Sequence, residues 1–133
     1  MDHLSEPQRK ELRRRLEAER DQLRLRLSSE DAEAVLEVEP GDAQDHASDE
    51  ARRTTAFRRR RHHDGRLVEV EGALKRMADG TYGRCEETDE PISFARLSAE
   101  PTTRYTVEAL EMLEDERTRG RAQAHDPDET DAY

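Results

Sequence analysis

The chain has one cysteine and no tryptophan, with only two phenylalanines and three tyrosines among 133 residues. A lone cysteine excludes an internal disulfide framework, and the polar start MDHLSEPQRK lacks the apolar core of a secretory signal. No apolar stretch approaches membrane-spanning length, so the expected class is a soluble cytoplasmic protein with no membrane partner. With 32% hydrophobic and 42% charged residues, the chain has too little apolar material for a compact globule of this length. The balance suits a long rod with a thin apolar seam and one modest core. The formal net charge of -10 argues against the surface as a whole gripping nucleic acid.

Proline and glycine are also sparse, and their positions mark the chain's boundaries. From Pro7 to Val38 no breaker intervenes, with Pro7 suited to a first helical turn and Ser5 to the cap before it. Leu12, Leu16, Leu23, Leu27, Ala34 and Val38 recur at spacings of 4, 7, 4, 7 and 4. That is an eleven-residue repeat of about 3.67 residues per turn, which predicts a nearly straight apolar stripe. Leu25, Val35 and Leu36 lie outside the stripe and are expected to widen it locally. Pro40-Gly41 should end this helix.

A second helix should begin near Asp45 or Ser48, either of which can cap it, with Ala47 and Ala51 as a slim first face. Leu67, Val70, Leu74 and Met77 continue it in a heptad pattern until Gly80. Two helices of about 30 residues joined by a short loop should pack antiparallel, in a hairpin about 45 Å long. Residues 81–104, with Thr81-Tyr82, Ile92, Phe94 and Leu97 interrupted by Gly83 and Pro91, predict a small turn-rich unit. Tyr105, Ala109, Met112 and Leu113 then restore helical period, and "AHDPDETDAY" predicts an acidic disordered tail. The expected fold is mainly α. Its segments are a hairpin over 1–79 with a tip near 40–46, a globular unit and last helix over 80–122, and the tail over 123–133.

The stretch "GTYGRCEETDEPI" reads as the opening of a zinc finger whose second ligand is missing. Structural zinc needs four thiolate or imidazole ligands, usually in two close pairs. Cys85 supplies one; Thr88 stands where its pair should be completed, and "RYTVEAL" offers neither Cys nor His. Zinc is therefore not expected, and Cys85 reads as a small buried hydrophobe. Packing of Tyr82, Ile92, Phe94, Leu97 and Tyr105 would have to replace the metal.

The segment "GTYGRCEETDEPISFARLSAEPTTRYTVEAL" resembles the C-terminal finger of the DksA/TraR family, bacterial regulators that bind RNA polymerase directly. Gly80, Tyr82, Gly83, Cys85, Glu90-Pro91-Ile92, Arg96-Leu97, Ala99 and Pro101 match the family pattern. Its other three ligand positions fall on Thr88, Thr106 and Ala109. The resemblance implies a coiled-coil hairpin that enters the polymerase secondary channel and an acidic tip that approaches the active centre. The tip pattern falls on Asp42, Asp45 and Ala47, at the turn already located from Pro40-Gly41.

The densest positive run, Arg58 to His63, must present some of its charge outward, since six consecutive residues cover every face of a helix. Arg58, Arg59, Arg61, His62 and Arg96 are candidate contacts for polymerase or an anion. No base-reading element is visible, so sequence-specific DNA binding is not expected. In the family, basic residues help to enclose guanosine tetraphosphate (ppGpp). The corresponding positions here are His62, Glu69, Glu100 and Leu110, which implies a weak or absent response. An N-terminal segment shorter than that of the family's principal members implies an accessory or paralogous regulator rather than the principal one; a phage or mobile-element member is a further alternative, and a monomer is expected. No nucleophile–base arrangement or phosphate loop points to an enzyme; the alternative reading is a coiled-coil adaptor for another protein.

Overall fold

A computed structural model describes residues 1–36 and 46–124, with side chains over 1–32 and 47–122. Four helices follow in order: α1 (Glu6–Leu36), α2 (His46–Asp79), α3 (Phe94–Ala99) and α4 (Val107–Ala124). The expected turn at Pro40-Gly41, the tip residues Asp42 and Asp45, and residues 125–133 lie outside the described residues.

Ser5 caps α1 reciprocally. The Gln8 N–H donates to Ser5 Oγ at 3.2 Å, and the Ser5 N–H donates to Gln8 Oε1 at 2.9 Å. α1 and α2 are antiparallel: Glu19 meets Arg66, while Asp31, further along α1, meets Arg60, earlier on α2. Their seam buries Leu12, Leu16 and Leu23 of the predicted stripe with Val70, Ala73 and Met77 of α2. Each fully buried leucine contributes roughly 1.5–3 kcal/mol, so this thin seam supplies most of the rod's cohesion. Leu25 does not widen the stripe. It is 69% exposed, outside the buried seam between α1 and α2. Ala47 and Ala51 are exposed as well, so the expected slim first face of α2 is not a buried one.

α2 stops at Gly80, whose φ of +79° is a left-handed conformation that favours glycine. The Thr81 N–H closes the end by donating to the Arg76 carbonyl at 2.9 Å. A short turn follows, closed by an isolated antiparallel bridge between Arg84 and Pro91. Ser93 then caps α3, accepting from the Arg96 N–H at 3.2 Å, and buries Leu97. This six-residue helix was not anticipated; it is too short to show a period. The core of the globular end is Tyr82, Cys85, Ile92, Leu97 and Ala109, with Phe94 and Tyr105 packed against it.

The N-terminal residues close this core from outside. Leu4 is buried in it, and the His3 ring meets the Ile92 carbonyl at 2.7 Å through Nε2. Gly83, at φ +83°, lies beneath His3, where a Cβ would come within 3.1 Å of His3 Cε1. Its backbone conformation favours glycine, and a Cβ would in addition push the His3 ring aside by a few tenths of an ångström.

Candidate functional site

The finger frame is built as the sequence implied, with side-chain packing where ligands would stand. The Cys85 N–H donates to the Glu90 carbonyl at 2.8 Å and the Ile92 N–H to the Gly83 carbonyl at 2.7 Å, forming the knuckle. Asp89 turns the chain back at φ +59°. Cys85 is 2% exposed. Burial pushes its thiol up, but the Thr88 hydroxyl and the N–H groups of Thr106, Thr88 and Glu87 outweigh that and draw it down to about 7.

The other three positions do not fit zinc. Thr106 places its hydroxyl 3.9 Å from Cys85 Sγ and uses the same oxygen to accept from the Ala109 N–H at 3.2 Å, capping α4. Ala109 is buried and offers only a methyl group. One thiol, two hydroxyls and a methyl cannot supply the tetrahedral N/S shell that structural zinc takes. Among the described residues, no group of three or more His, Cys, Asp or Glu side chains is placed to hold a metal ion. Tyr82 reinforces the unit instead, its buried hydroxyl donating to the Pro101 carbonyl at 2.7 Å. Burial pushes that phenol up to about 12.

Where rod and globular end meet, Arg66 joins three parts of the chain. Its Nε and Nη2 donate to the two oxygens of Glu19 on α1, at 2.5 and 3.0 Å. Its Nη1 donates to Glu100 Oε1 at 3.0 Å and to Thr102 Oγ1 at 3.1 Å, with Glu69 3.5 Å away. The Glu19 hydrogen bond leads in raising the Arg66 pKa, with Glu100 adding to it against the effect of burial. Glu69 and Glu100 are among the residues the sequence points to, whereas Glu19 and Thr102 are not. The Arg66–Glu69 spacing was visible in the sequence, whereas the approach of Glu19 and Glu100 is tertiary.

The other candidates are distributed rather than gathered. Arg58, Arg59, Arg61 and His62 are exposed along α2, and Ala47 is exposed in its first turn. Arg96 sits half-buried on α3, its Nε shut off from solvent without a hydrogen-bond partner among the described residues. α3 packs on α1, with Arg15 Nη1 reaching Ser98 Oγ at 3.4 Å. By connectivity, residues 37–45 join the ends of the two long helices remote from the globular unit. From Arg66 to His46 the rise of α2 is on the order of 30 Å.

Comparison with known proteins extends these observations. Residues 80–114 match the family described as the prokaryotic dksA/traR C4-type zinc finger. The RNA polymerase-binding transcription factor DksA of Caulobacter vibrioides is 45% identical over 73 residues, covering 55% of this chain and 51% of that protein. General stress protein 16O of Bacillus subtilis is 52% identical over 50 residues, 38% of this chain and 31% of that one. The chain thus spans about half the length, or less, of these curated relatives. The structure of transcription factor DksA2 from Pseudomonas aeruginosa aligns with a TM-score of 0.79 at 34% identity, covering 87% of this chain and 90% of that one.

Proposed function

The chain belongs to the DksA/TraR family, and on that premise we propose that it regulates transcription by binding bacterial RNA polymerase. It acts as a binding protein, through the secondary channel and without a resident metal. The observation that carries this reading is the alignment across rod, junction and globular end with a transcription factor at 34% identity. The relative named for polymerase binding supports the choice of partner. In this reading the rod and globular end supply affinity. Asp42 and Asp45, between the two long helices in sequence, with Ala47 in the first turn of α2, supply the effect on initiation or open-complex stability. The protein works as a cytoplasmic monomer.

Response to guanosine tetraphosphate is weak or absent in this proposal. Glu69 and Glu100 occupy positions where basic groups would be wanted. The nearby cation, Arg66, is already engaged by Glu19, Glu100 and Glu69. A phosphate would have to displace carboxylates to reach it.

The test is direct binding of the purified chain to bacterial core RNA polymerase. Saturable binding near one per polymerase, displaced by another secondary-channel ligand, is the expected result. A folded chain that does not bind would remove the reading and leave the adaptor alternative.

A further inference from the structure

Cohesion is unevenly spread along the rod. Among the described residues, Leu23 is the last buried side chain of α1 and Val70 the first of α2. No side chain in residues 24–32 or 47–69 is buried, and the large apolar groups Leu25 and Phe57 face solvent. Polar contacts join the two helices here. Glu30 Oε1 meets His63 Nδ1 at 2.8 Å, and Asp31 pairs with Arg60. The second pair is exposed on both sides, where such contacts contribute little. Glu30 Oε2 is shut off from solvent and has no hydrogen-bond partner among the described residues, so closing this part of the rod strands a charged acceptor. Thr54 and Thr55 turn their hydroxyls onto the Glu50 and Ala51 carbonyls, at 2.9 and 3.0 Å, a back-bonding that loosens and bends helices.

The firmly held part of α2 starts at Arg66, whose guanidinium is fixed to Glu19, Glu100 and Thr102. Gly65 stands immediately before it, within the helix. A Cβ there would meet nothing within 4 Å, and the backbone is not left-handed, so neither space nor conformation calls for glycine. Glycine is nevertheless among the poorest residues for holding an exposed helix. α2 is thus pinned at Arg66, unpacked before it, and weakest at the border between the two. Segments with few buried contacts open at a small fraction of the cost of global unfolding, and a hinge is a position that absorbs the backbone change.

We propose that the outer rod, residues 24–32 of α1 with 47–64 of α2, is an arm that opens as a unit while the inner rod and globular end stay folded. Gly65 is its hinge, and the Glu30–His63 and Asp31–Arg60 pairs are its latch. The inference stands on the packing of this chain and is independent of the polymerase reading.

Amide hydrogen exchange on the whole chain tests it, read residue by residue under conditions where the rate reports the opening equilibrium. Amides of the arm should exchange at similar rates, about 100-fold or more faster than those of residues 70–77, with the step close to Gly65. Protection that continues undiminished across Gly65, or that declines smoothly along α2 without a step, overturns the arm. G65A should slow exchange throughout the arm by about fivefold, because the hinge residue leaves the helix when the arm opens. G72A makes the same change on the packed side of the border and should leave the arm amides within about twofold of the parent. Arm amides that ignore G65A overturn the hinge, and arm amides slowed equally by both variants show global unfolding in its place. D31N/H63Q removes one partner from each latch pair and should speed exchange in the arm several-fold. Unchanged arm exchange in that variant overturns the latch.

Discussion

Replacing Arg66 by alanine removes the joint between rod and globular end while leaving a good helix former in α2. Four hydrogen bonds are lost: two to Glu19, one to Glu100 and one to Thr102. Arg66 is 23% exposed, Glu19 34% and Glu100 43%, so the pairs must be discounted for solvent screening. Isolated exposed pairs contribute about 0.2–1 kcal/mol each, and a bidentate pair within a network contributes more. A net loss of about 2 kcal/mol follows, or a fall of roughly 6–12 °C in Tm. A double-mutant cycle with E19Q should return a coupling of about 1 kcal/mol.

Acid supplies a second readout. Burial pushes the Glu100 carboxyl up, but the Thr102 hydroxyl and Arg66 guanidinium outweigh it and hold the group below its ordinary value of 4.5. The unfolded chain therefore takes up the proton more readily. The contribution of Glu100 is full above the ordinary value and is lost as pH falls through the depressed one. Acid melts should show this loss in the parent and a smaller one in R66A. If R66A melts within about 0.5 kcal/mol of the parent and has the same acid profile, the joint does not rest on this guanidinium.

Elemental analysis of protein purified without chelator should give zinc well below one equivalent; a stoichiometric, EDTA-resistant value would contradict the Thr88, Thr106 and Ala109 argument. Y82F removes the donor to the Pro101 carbonyl and should cost about 1–2 kcal/mol in chemical denaturation. In the parent, the protonated phenol is favoured by folding, so its contribution is present below pH 10 and is lost as pH rises through about 12, which an alkaline titration of tyrosine absorbance would follow. Guanosine tetraphosphate should change transcription by this protein little when polymerase lacks its other alarmone site, whereas strong synergy would mean that Arg58 or a rearranged Arg66 serves the phosphates.

Elements with a period or a breaker were legible in the sequence. Leu12, Leu16 and Leu23 fell where the stripe put them, and Ser5 and Gly80 bounded helices through local chemistry that needs no distant partner. The period placed Leu25 outside the stripe, but its hydrophobicity suggested a local widening, whereas the structure leaves it 69% exposed. The six residues of α3 offer no repeat, although the Ser93 cap was a usable local signal. The seating of Leu4 and His3 against the finger and the meeting of Glu19, Arg66 and Glu100 depend on chain closure over long separations. The three replaced ligand positions were visible as letters. The second task of Thr106, capping α4 beside Cys85, required the fold.

The central proposal, that Asp42 and Asp45 between the long helices carry the effect on polymerase, is tested most directly by D42N/D45N. Asparagine keeps the size and much of the capping ability of aspartate, so stability should change by no more than about 1 kcal/mol. Polymerase affinity and open-complex lifetime at a sensitive promoter should be measured on the same preparation. The account predicts affinity close to the parent's together with a sharply reduced effect on lifetime. A double variant that binds and regulates as the parent does would contradict it.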